Sequence, residues 1–183
     1  MGYTLDELAD VLGKLVDEGI DFVVIGDTVV QLELKTKTFE GDIDIYALEP
    51  SPLAEEERYM MLAEKYGWDY GSTEIGTPRL IARTRSGDII VEVYESFMDI
   101  EIPWEILEEA RSINLRGVKI KVIKPEHYFV LKARQGVDLD KLEKYYKKLK
   151  SLDQRVIIRA IKYFPEEEQG LITSRLRNIG LKI

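Results

Sequence analysis

The feature that most constrains this chain is a short segment in which acidic and apolar residues alternate. Asp42 and Asp44 are interleaved there with Ile43 and Ile45. Because successive side chains of a β-strand point to opposite faces, both carboxylates project to one face and both isoleucines to the other, towards a core. Two carboxylates roughly 7 Å apart on one face repel each other, so a stable fold needs solvent, a cation or a positive side chain to compensate them. Mg²⁺ uses such carboxylates together with substrate phosphates, which makes Asp42 and Asp44 candidate metal ligands.

A third acid, Glu92, lies in a second segment with the character of a β-strand. Residues 88–94 are rich in β-branched side chains, and valines flank Glu92 on both sides. An ionised glutamate in the middle of an apolar strand is costly to bury without a partner. If this strand lies beside the strand of the two aspartates, Glu92 completes a three-carboxylate cluster. The alternative is an antiparallel sheet with one wet face, on which all three acids are solvated.

An apolar strand upstream of the aspartates ends in a glycine turn. Residues 22–25 are apolar, Gly26 follows them, and residues 29–34 have the character of a short helix. Glycine lets the backbone approach a phosphate, and the free N–H groups and the dipole of a helix N-terminus favour negative charge. The order of strand, glycine and helix therefore predicts an anion-binding corner beside the candidate metal ligands, with Asp27 and Thr28 at its turn.

Residues 22–46, which read FVVIGDTVVQLELKTKTFEGDIDIY, resemble the signature of the DNA polymerase β-type nucleotidyltransferase superfamily. The smaller members of this superfamily include the minimal nucleotidyltransferases and the AbiEii-like toxin–antitoxin enzymes. The resemblance implies that Gly26 is the turn glycine of a nucleotide site. It also implies that Asp42 and Asp44 are metal ligands and that Glu92 is the third carboxylate.

A later segment adds to the resemblance. Residues 118–146 read VKIKVIKPEHYFVLKARQGVDLDKLEKYY and are similar to family members in which a strand and a proline lead into a helix that carries Lys and Arg. The resemblance implies that Lys132, and as a second candidate Arg134, lies near the phosphates of the nucleotide.

Three features depart from the family pattern. Asp27 occupies the position of a small residue, where a triphosphate would sit, so it must turn away, bind metal itself or mark lost catalysis. Thr28 could supply the hydroxyl that is then missing. Fourteen residues, 28–41, separate Asp27 from Asp42, at the long end of the family's spacing. Glu92 stands where the family more often has Asp, and its longer side chain reaches further.

The resemblance implies nucleotidyl transfer by a two-metal mechanism. Asp42 and Asp44 would bridge two Mg²⁺ ions, for which Mn²⁺ could substitute, around an NTP at the glycine turn. Glu92 would ligate the ion on the acceptor side and help to remove the proton of the acceptor hydroxyl. The residues expected to contact the nucleotide are Gly26, Asp27, Thr28 and Lys132.

The acceptor is left open, as an RNA, a protein hydroxyl or a small molecule such as an aminoglycoside. Two other functions are alternatives. One is a catalytically inactive binding or regulatory module, such as half of a toxin–antitoxin pair, which Asp27 favours. The other is a metal-dependent phosphohydrolase that uses the same acids to direct water.

The composition of the chain narrows the classes of protein to which it can belong. The 183 residues, of which 45% are hydrophobic, fit one domain or a core with a helical appendage. No apolar run approaches the ~20 residues that cross a bilayer, so we expect no membrane association. The absence of cysteine excludes disulfides and zinc–thiolate sites and, with no secretory signal visible, predicts a cytoplasmic protein. A net charge of −8 argues against a nonspecific nucleic-acid binder, and the 33% of charged residues favour a thermophilic source.

The order of segments and the resemblance predict an α/β (α+β) fold, with a mixed sheet flanked by helices and a C-terminal helical segment. We expect residues 1–124 to form the nucleotidyltransferase-like core and residues 125–183 to form the helical segment packed on it. This segment could cap the core or build a homodimer contact. A helix is also predicted from Ser51–Pro52 to about Gly67. The helices predicted after the core cover about 125–135, 138–150, 153–163 and 165–178.

Two further features favour structural interpretations. His127, the only histidine, follows Pro125 at a helix start, and we interpret it as structural or surface-exposed rather than as a general base. Lys141, Lys144 and Lys148 share one helix face. That face is either a surface that steers a triphosphate or an acceptor RNA or, as we favour, a solvated face that complements the helix dipole.

Overall fold

A seven-stranded mixed sheet flanked by helices forms the centre of the protein. The computed structural model describes residues 2–96, 101–149 and 151–183. The predicted α/β class is confirmed, since these residues contain eight helices around the sheet and the chain ends in a helical segment. In chain order the elements are α1 (Leu5–Asp17), β1 (Asp21–Ile25), α2 (Asp27–Glu33), β2 (Ile43–Glu49), α3 (Glu56–Tyr66), β3 (Asp69–Ser72), β4 (Pro78–Thr84), β5 (Gly87–Tyr94), α4 (Trp104–Glu108), β6 (Arg111–Leu115), β7 (Val118–Val122), α5 (Pro125–Gln135), α6 (Leu139–Lys148), α7 (Gln154–Ile161) and α8 (Glu166–Asn178).

The strand order across the sheet is β3-β4-β5-β2-β1-β7-β6. β1 pairs antiparallel with β2 and parallel with β7, while β2 pairs parallel with β5. The remaining neighbours are antiparallel. The two strands that carry the predicted acids are therefore direct neighbours in the interior of the sheet, as the three-carboxylate hypothesis requires.

Helix α1 begins at a capping box. Thr4 Oγ1 accepts a hydrogen bond from the N–H of Glu7 at 3.2 Å, and the Glu7 carboxylate accepts one from the N–H of Thr4 at 2.8 Å. Leu8, Leu12 and Leu15 recur at helical spacing and are completely buried. This apolar stripe packs α1 onto β6 and β7, while α2 packs onto β1 and β2.

The helix predicted over residues 51–67 begins later than the sequence indicates. Ser51–Pro52 predicts a helix start, but α3 begins at Glu56. Glu95, which follows β5, accepts hydrogen bonds from Ser51 Oγ and from the N–H of Leu53, both at 3.1 Å. Because a distant carboxylate satisfies these polar groups, the segment before Glu56 is stable as a turn.

The four predicted C-terminal helices are confirmed, and their ends differ from the predicted ones by no more than two residues. α5 lies at the centre of this segment, in contact with α2, α7 and α8, and its residues Tyr128 and Phe129 are buried. Arg175 of α8 donates to the carbonyl groups of Ala133 and Arg134, both at 2.8 Å, which satisfies the C-terminal end of α5. Within the described ranges, no helix is long and apolar enough to span a membrane.

A cluster of polar contacts around Glu109 joins α4 to α7 and to the start of α5. The Glu109 carboxylate accepts hydrogen bonds from Lys124 at 2.6 Å, from Arg159 at 2.6 Å and from Tyr163 at 2.7 Å. Burial raises the pKa of Glu109, but these three donors outweigh burial and hold the pKa at about 2. The cluster therefore stabilises the docking of the helical segment on the core.

His127 lies against this cluster and is completely buried, with its Nε2 3.5 Å from the Glu109 carboxylate. Burial lowers the pKa of His127 to about 4, although the charge of Glu109 opposes the shift. Of the two interpretations of His127, the structural one is confirmed and surface exposure is wrong.

Acid should destabilise the protein through His127. Its folded-state pKa of about 4 lies below the ordinary value of 6.5, so in this window the unfolded chain binds the additional proton. The stability that neutral His127 contributes is fully present above pH 6.5 and is lost as the pH falls towards 4. In His127→Gln this contribution is absent, so the difference in unfolding free energy between wild type and variant should change by roughly 2 kcal/mol between about pH 6.5 and pH 5. Urea denaturation measures it, and a difference independent of pH would contradict the assignment.

Candidate active site

The pairing of β2 with β5 brings the predicted carboxylates together. Asp44 and Glu92 are direct partners in the parallel register, and Asp42 immediately precedes β2. Ile43 and Val91, one position away on each strand, are completely buried. The strands are parallel and the Glu92 side chain is only 18% exposed, so the alternative of a wet antiparallel face does not apply to this pair.

Burial and like charge raise the pKa values of the two aspartates. Burial and the neighbouring Glu92 raise the pKa of Asp44 to about 7, with a contribution from Asp42 and an opposing one from Lys132. Burial also raises the pKa of Asp42, and Glu92 adds to that shift while Arg79 opposes it. Ionisation of the two aspartates is therefore disfavoured, first by burial and then by like charge, and a bound cation would favour it.

Arg79 of β4 reaches this face from the adjacent strand. It is the partner of Glu92 in the antiparallel β4–β5 register. Its guanidinium nitrogens lie 3.7 Å from an Asp42 oxygen and 3.5 Å from a Glu92 oxygen, whereas strong charge-assisted hydrogen bonds are about 2.8 Å long. In the described parts of the chain, no group of three or more Asp, Glu or His side chains is arranged to hold a metal ion. The predicted ligands share one face, and Arg79 lies loosely against two of them.

Gly26 is required where β1 turns into α2. Its φ of +69° is a left-handed conformation that side chains disfavour. A Cβ added at this position would lie 2.8 Å from Asp44 Cγ and 2.9 Å from Asp44 Cβ. Asp44 therefore packs directly against the glycine turn, which places the predicted turn glycine beside a predicted ligand.

Gly26→Ala should destabilise the protein more than Gly41→Ala. Both glycines have positive φ, +69° and +82°, but a Cβ at Gly41 would meet nothing within 4 Å. We expect about 1 kcal/mol of lost unfolding free energy for Gly41→Ala and roughly 3 kcal/mol for Gly26→Ala, because the second change adds a collision with Asp44. Urea denaturation at neutral pH measures both losses. Equal losses would contradict the close packing of Asp44 on the turn.

Two pairs of hydrogen bonds anchor the long connection between α2 and β2. Gln31, buried in α2, donates to the carbonyl of Glu40 at 2.9 Å and accepts from its N–H at 2.8 Å. The backbones of Tyr3 and Phe39 exchange hydrogen bonds of 2.9 Å and 2.8 Å. The extra length that departs from the family pattern is thus accommodated by a helix and an anchored loop, which deliver Asp42 to the start of β2.

A cavity of about 180 Å³ opens beside Gly26 and Asp44. Lys132 of α5 also lines it, with a side chain that is 22% exposed and a charge that lowers the pKa of Asp44. Arg134 lines the same cavity, but its guanidinium is bound by the carboxylate of Glu168. The cavity thus gathers four of the predicted residues around one space. Lys132 pairs only loosely with Asp138, at 3.9 Å, whereas Arg134 lies 2.5 Å from Glu168, so Lys132 is the better placed of the two cations for a phosphate.

Asp27 turns its carboxylate towards the C-terminal helices. One carboxylate oxygen pairs with the ammonium group of Lys141 in α6, and the other accepts a hydrogen bond from the hydroxyl of Tyr128 in α5. The charge that Asp27 would present to a triphosphate is therefore compensated. The predicted hydroxyl donor Thr28 is completely buried, and the cavity beside Gly26 is lined by other residues, so the structure does not bring Thr28 to that space.

A second cavity, of about 550 Å³, lies on the β4 side of the carboxylates. It is lined by Arg79, Glu92 and Tyr94, by Ser72 at the end of β3 and by residues 73–75 of the turn that follows. Tyr94 also lines the first cavity, and its hydroxyl donates to Glu92 at 2.5 Å. Burial, and next this hydrogen bond, raises the pKa of Tyr94. The carboxylates therefore stand between two cavities that share Tyr94.

Sequence reasoning did not single out Arg79, although a local signal was present. β4 and β5 are joined by a two-residue turn, which pairs Thr84 with Gly87. Counting five pairs back from this turn places Arg79 opposite Glu92. The charged partner of the third acid therefore follows once the structure shows where the two-residue turn lies.

The partners of Asp27 had no such signal. Tyr128 and Lys141 lie 101 and 114 positions further along the chain. The sequence indicates a steering surface or a solvated face for Lys141, and the structure instead pairs it with a carboxylate at the glycine turn. Only the docking of α5 and α6 on the sheet creates this contact.

The family whose description is "nucleotidyl transferase of unknown function (DUF2204)" matches residues 4–178. The chain belongs to this family. This confirms the expected superfamily, while the AbiEii-like branch stays a prediction. A search of curated proteins found no match to this chain.

Solved structures share the fold of this chain. An antigenic nucleotidyltransferase-like protein from Paracoccidioides brasiliensis superposes with a TM-score of 0.63 at 19% sequence identity, over 98% of this chain and 89% of that one. The crystal structure of ANT(2'')-Ia in complex with adenylyl-2''-tobramycin gives a TM-score of 0.51 at 14% identity, over 95% of this chain and 97% of that one. At such low identity these similarities show the fold.

Proposed function

We propose that this protein transfers a nucleoside monophosphate from an NTP to an acceptor hydroxyl. The observation that carries the proposal is the pairing of Asp44 with Glu92 across β2 and β5, with Asp42 beside them. The family match supports nucleotidyl transfer as the reaction class. The cavity between Gly26 and Lys132 supports a nucleotide on that side of the carboxylates.

The donor set has the oxygen chemistry that hard divalent cations prefer, although the described residues hold no preformed group of three at metal-binding distance. Asp42, Asp44 and Glu92 offer carboxylate oxygens on one face, and burial, followed by the charge of Glu92, raises the pKa values of the two aspartates, a shift that a bound cation would oppose. We therefore assign two Mg²⁺ ions, or Mn²⁺ in their place, to these three residues. When bound, such ions lower the barrier by activating the acceptor hydroxyl and by stabilising the charge on the departing pyrophosphate.

The chain's own residues support binding and proton transfer. Lys132 offers positive charge to the nucleotide phosphates at the wall of the first cavity. Gly26 lets the nucleotide approach the backbone closely. Glu92 faces the second cavity, where it can take the proton of the acceptor hydroxyl, and the hydroxyl of Tyr94 orients its carboxylate.

The second cavity is the proposed acceptor site. Its volume of about 550 Å³ suits a small molecule. The net charge of −8 disfavours an RNA acceptor, whose phosphates require a basic surface. The similar structure of ANT(2'')-Ia contains adenylyl-2''-tobramycin, and we propose a small polyhydroxylated molecule as the acceptor of this chain.

The alternative of an inactive regulatory module, such as a toxin–antitoxin component, depends on the negative charge of Asp27 at the glycine turn. The pairing of Asp27 with Lys141 compensates the charge that would repel a triphosphate, which supports an enzyme over an inactive scaffold. Titration calorimetry with Mg-ATP and Mg-CTP separates the two, because an inactive scaffold need show no metal-dependent nucleotide binding.

Asp42→Asn and Asp44→Asn should each lower Mg²⁺-dependent transfer by at least about 100-fold while leaving the fold intact, because asparagine keeps the shape but loses the charge that holds a cation. Labelled NTPs incubated with aminoglycosides or with total RNA, and analysed for labelled product and for pyrophosphate, measure the activity. Asp21→Asn on β1, which loses an ion pair of 3.0 Å with Lys121, is the matched control and should keep the activity.

Unaltered turnover in either site variant would end the assignment. Release of phosphate from the labelled NTP without any labelled acceptor would instead favour the phosphohydrolase alternative.

Removing Arg79 should strengthen cation binding. Arg79 competes with a metal ion for Asp42 and Glu92, and an ion pair of this kind at a partly exposed site contributes about 1 kcal/mol, so we expect Arg79→Gln to bind Mn²⁺ roughly fivefold more tightly. Titration calorimetry with Mn²⁺ alone measures the change, independently of activity. Arg83→Gln on the same strand, which loses an exposed pair with Asp69, is the control and should bind Mn²⁺ as the wild type does.

A further inference from the structure

An ion pair connects the glycine turn to α6. Asp27 is the first residue of α2 and directly follows Gly26. Its carboxylate pairs with Lys141 and also accepts a hydrogen bond from the hydroxyl of Tyr128. Because Asp27 and Lys141 are 114 positions apart, this contact forms only when the C-terminal helices dock on the sheet.

This ion pair is connected to the cavity proposed for the nucleotide through Gly26 and Tyr128, although neither Asp27 nor Lys141 lines the cavity itself. Gly26 and Tyr128 both line the cavity, and each is bonded to Asp27, one through the chain and the other through its hydroxyl. The Lys141 side chain is 49% exposed, whereas that of Asp27 is 15% exposed. A ligand that extends out of the cavity past Tyr128 can therefore meet the ammonium group while the carboxylate stays covered.

The ammonium group of Lys141 retains capacity for a second partner. It has three N–H donors, and Asp27 accepts one of them. A half-exposed ion pair contributes little to stability, so stability alone gives a weak reason for an acid at this turn. A stronger reason for an acid at this turn is that it holds a cation beside the phosphates of a nucleotide. Asp27 restricts the position of the otherwise flexible Lys141 side chain.

We propose that Lys141 binds the β- or γ-phosphate of the NTP and that Asp27 positions its ammonium group for this contact. Positive charge then reaches the polyphosphate from two consecutive helices. Lys132 of α5 lies towards the carboxylates, where it lowers the pKa of Asp44, and Lys141 of α6 lies at the glycine turn. The inference rests on the proposed function, because it requires an NTP in the cavity beside Gly26.

Nucleotide titrations of Lys141→Met test the proposal. The wild type and the variant are titrated calorimetrically with Mg-ATP, Mg-CTP, Mg-GTP and Mg-UTP, and then with the monophosphate of the nucleotide that binds best. We expect Lys141→Met to weaken NTP binding roughly tenfold or more, because a charge-assisted hydrogen bond is lost. The affinity for the monophosphate, which lacks the β- and γ-phosphates, should change less than about threefold. Lys144→Met, an exposed lysine of the same helix, is the matched control and should bind as the wild type does.

A double variant separates phosphate binding from mere neutralisation of Asp27. If Lys141 only neutralised that carboxylate, Asp27→Asn combined with Lys141→Met would bind the NTP as tightly as the wild type. We expect the double variant to remain weak and Lys141→Arg to recover most of the affinity, because arginine keeps the charge. Thermal unfolding of each variant verifies that it is folded.

The outcomes are distinguishable. Wild-type affinity in Lys141→Met, or full recovery in the double variant, would overturn the role of Lys141 while leaving nucleotidyl transfer untouched. A wild type that binds none of the four Mg-NTPs would remove the proposed function and this inference together.

Discussion

Repulsion between carboxylates on one face of the sheet is the constraint on which the arrangement of the site depends. The parallel pairing of β2 with β5 sets Asp44 directly opposite Glu92, and Asp42 lies next to them. Two of these acids have raised pKa values because burial and like charge disfavour ionisation. Positive groups stabilise the ionised form of such closely spaced carboxylates. The role of each surrounding residue follows from how far its positive charge does so. Arg79 lies loosely against Asp42 and Glu92, at 3.7 Å and 3.5 Å. Lys132 lowers the pKa of Asp44 from across the cavity.

The C-terminal helices supply positive charge to a site that the sheet makes negative. Lys132 lies on α5 and Lys141 on α6, and both reach the edge of β1 and α2. Docking of these helices is stabilised elsewhere, by buried apolar side chains of α5 and by the cluster around Glu109. Stability and chemistry are therefore connected, because a helical segment that undocked would remove its cations from the glycine turn.

Much of the site could be predicted from local patterns. Alternation of acids and isoleucines determined which faces Asp42 and Asp44 share, and the strand-glycine-helix order located the turn at Gly26. The resemblance to known nucleotidyltransferases added Lys132. Arg79 was not predicted, because the register that sets it opposite Glu92 depends on a two-residue turn whose position the structure supplies. The burial of Thr28 was not predictable either, because whether a hydroxyl after the glycine faces a cavity or the core depends on how α2 packs.

The sequence by itself determined the elements, the α/β class and the residues that carry charge, because side-chain periodicity and turn chemistry act over a few neighbouring residues. The tertiary structure alone decided the partners of those charges. In the sequence, Asp27 places a negative charge where a triphosphate would bind. In the structure, Lys141, which lies 114 positions further along the chain, compensates that charge. Burial, and hence the pKa values of Asp44 and His127, likewise depends on which elements cover each group. Coulombic and desolvation energies depend on distances in space, and the chain order does not contain those distances until the helices are packed on the sheet.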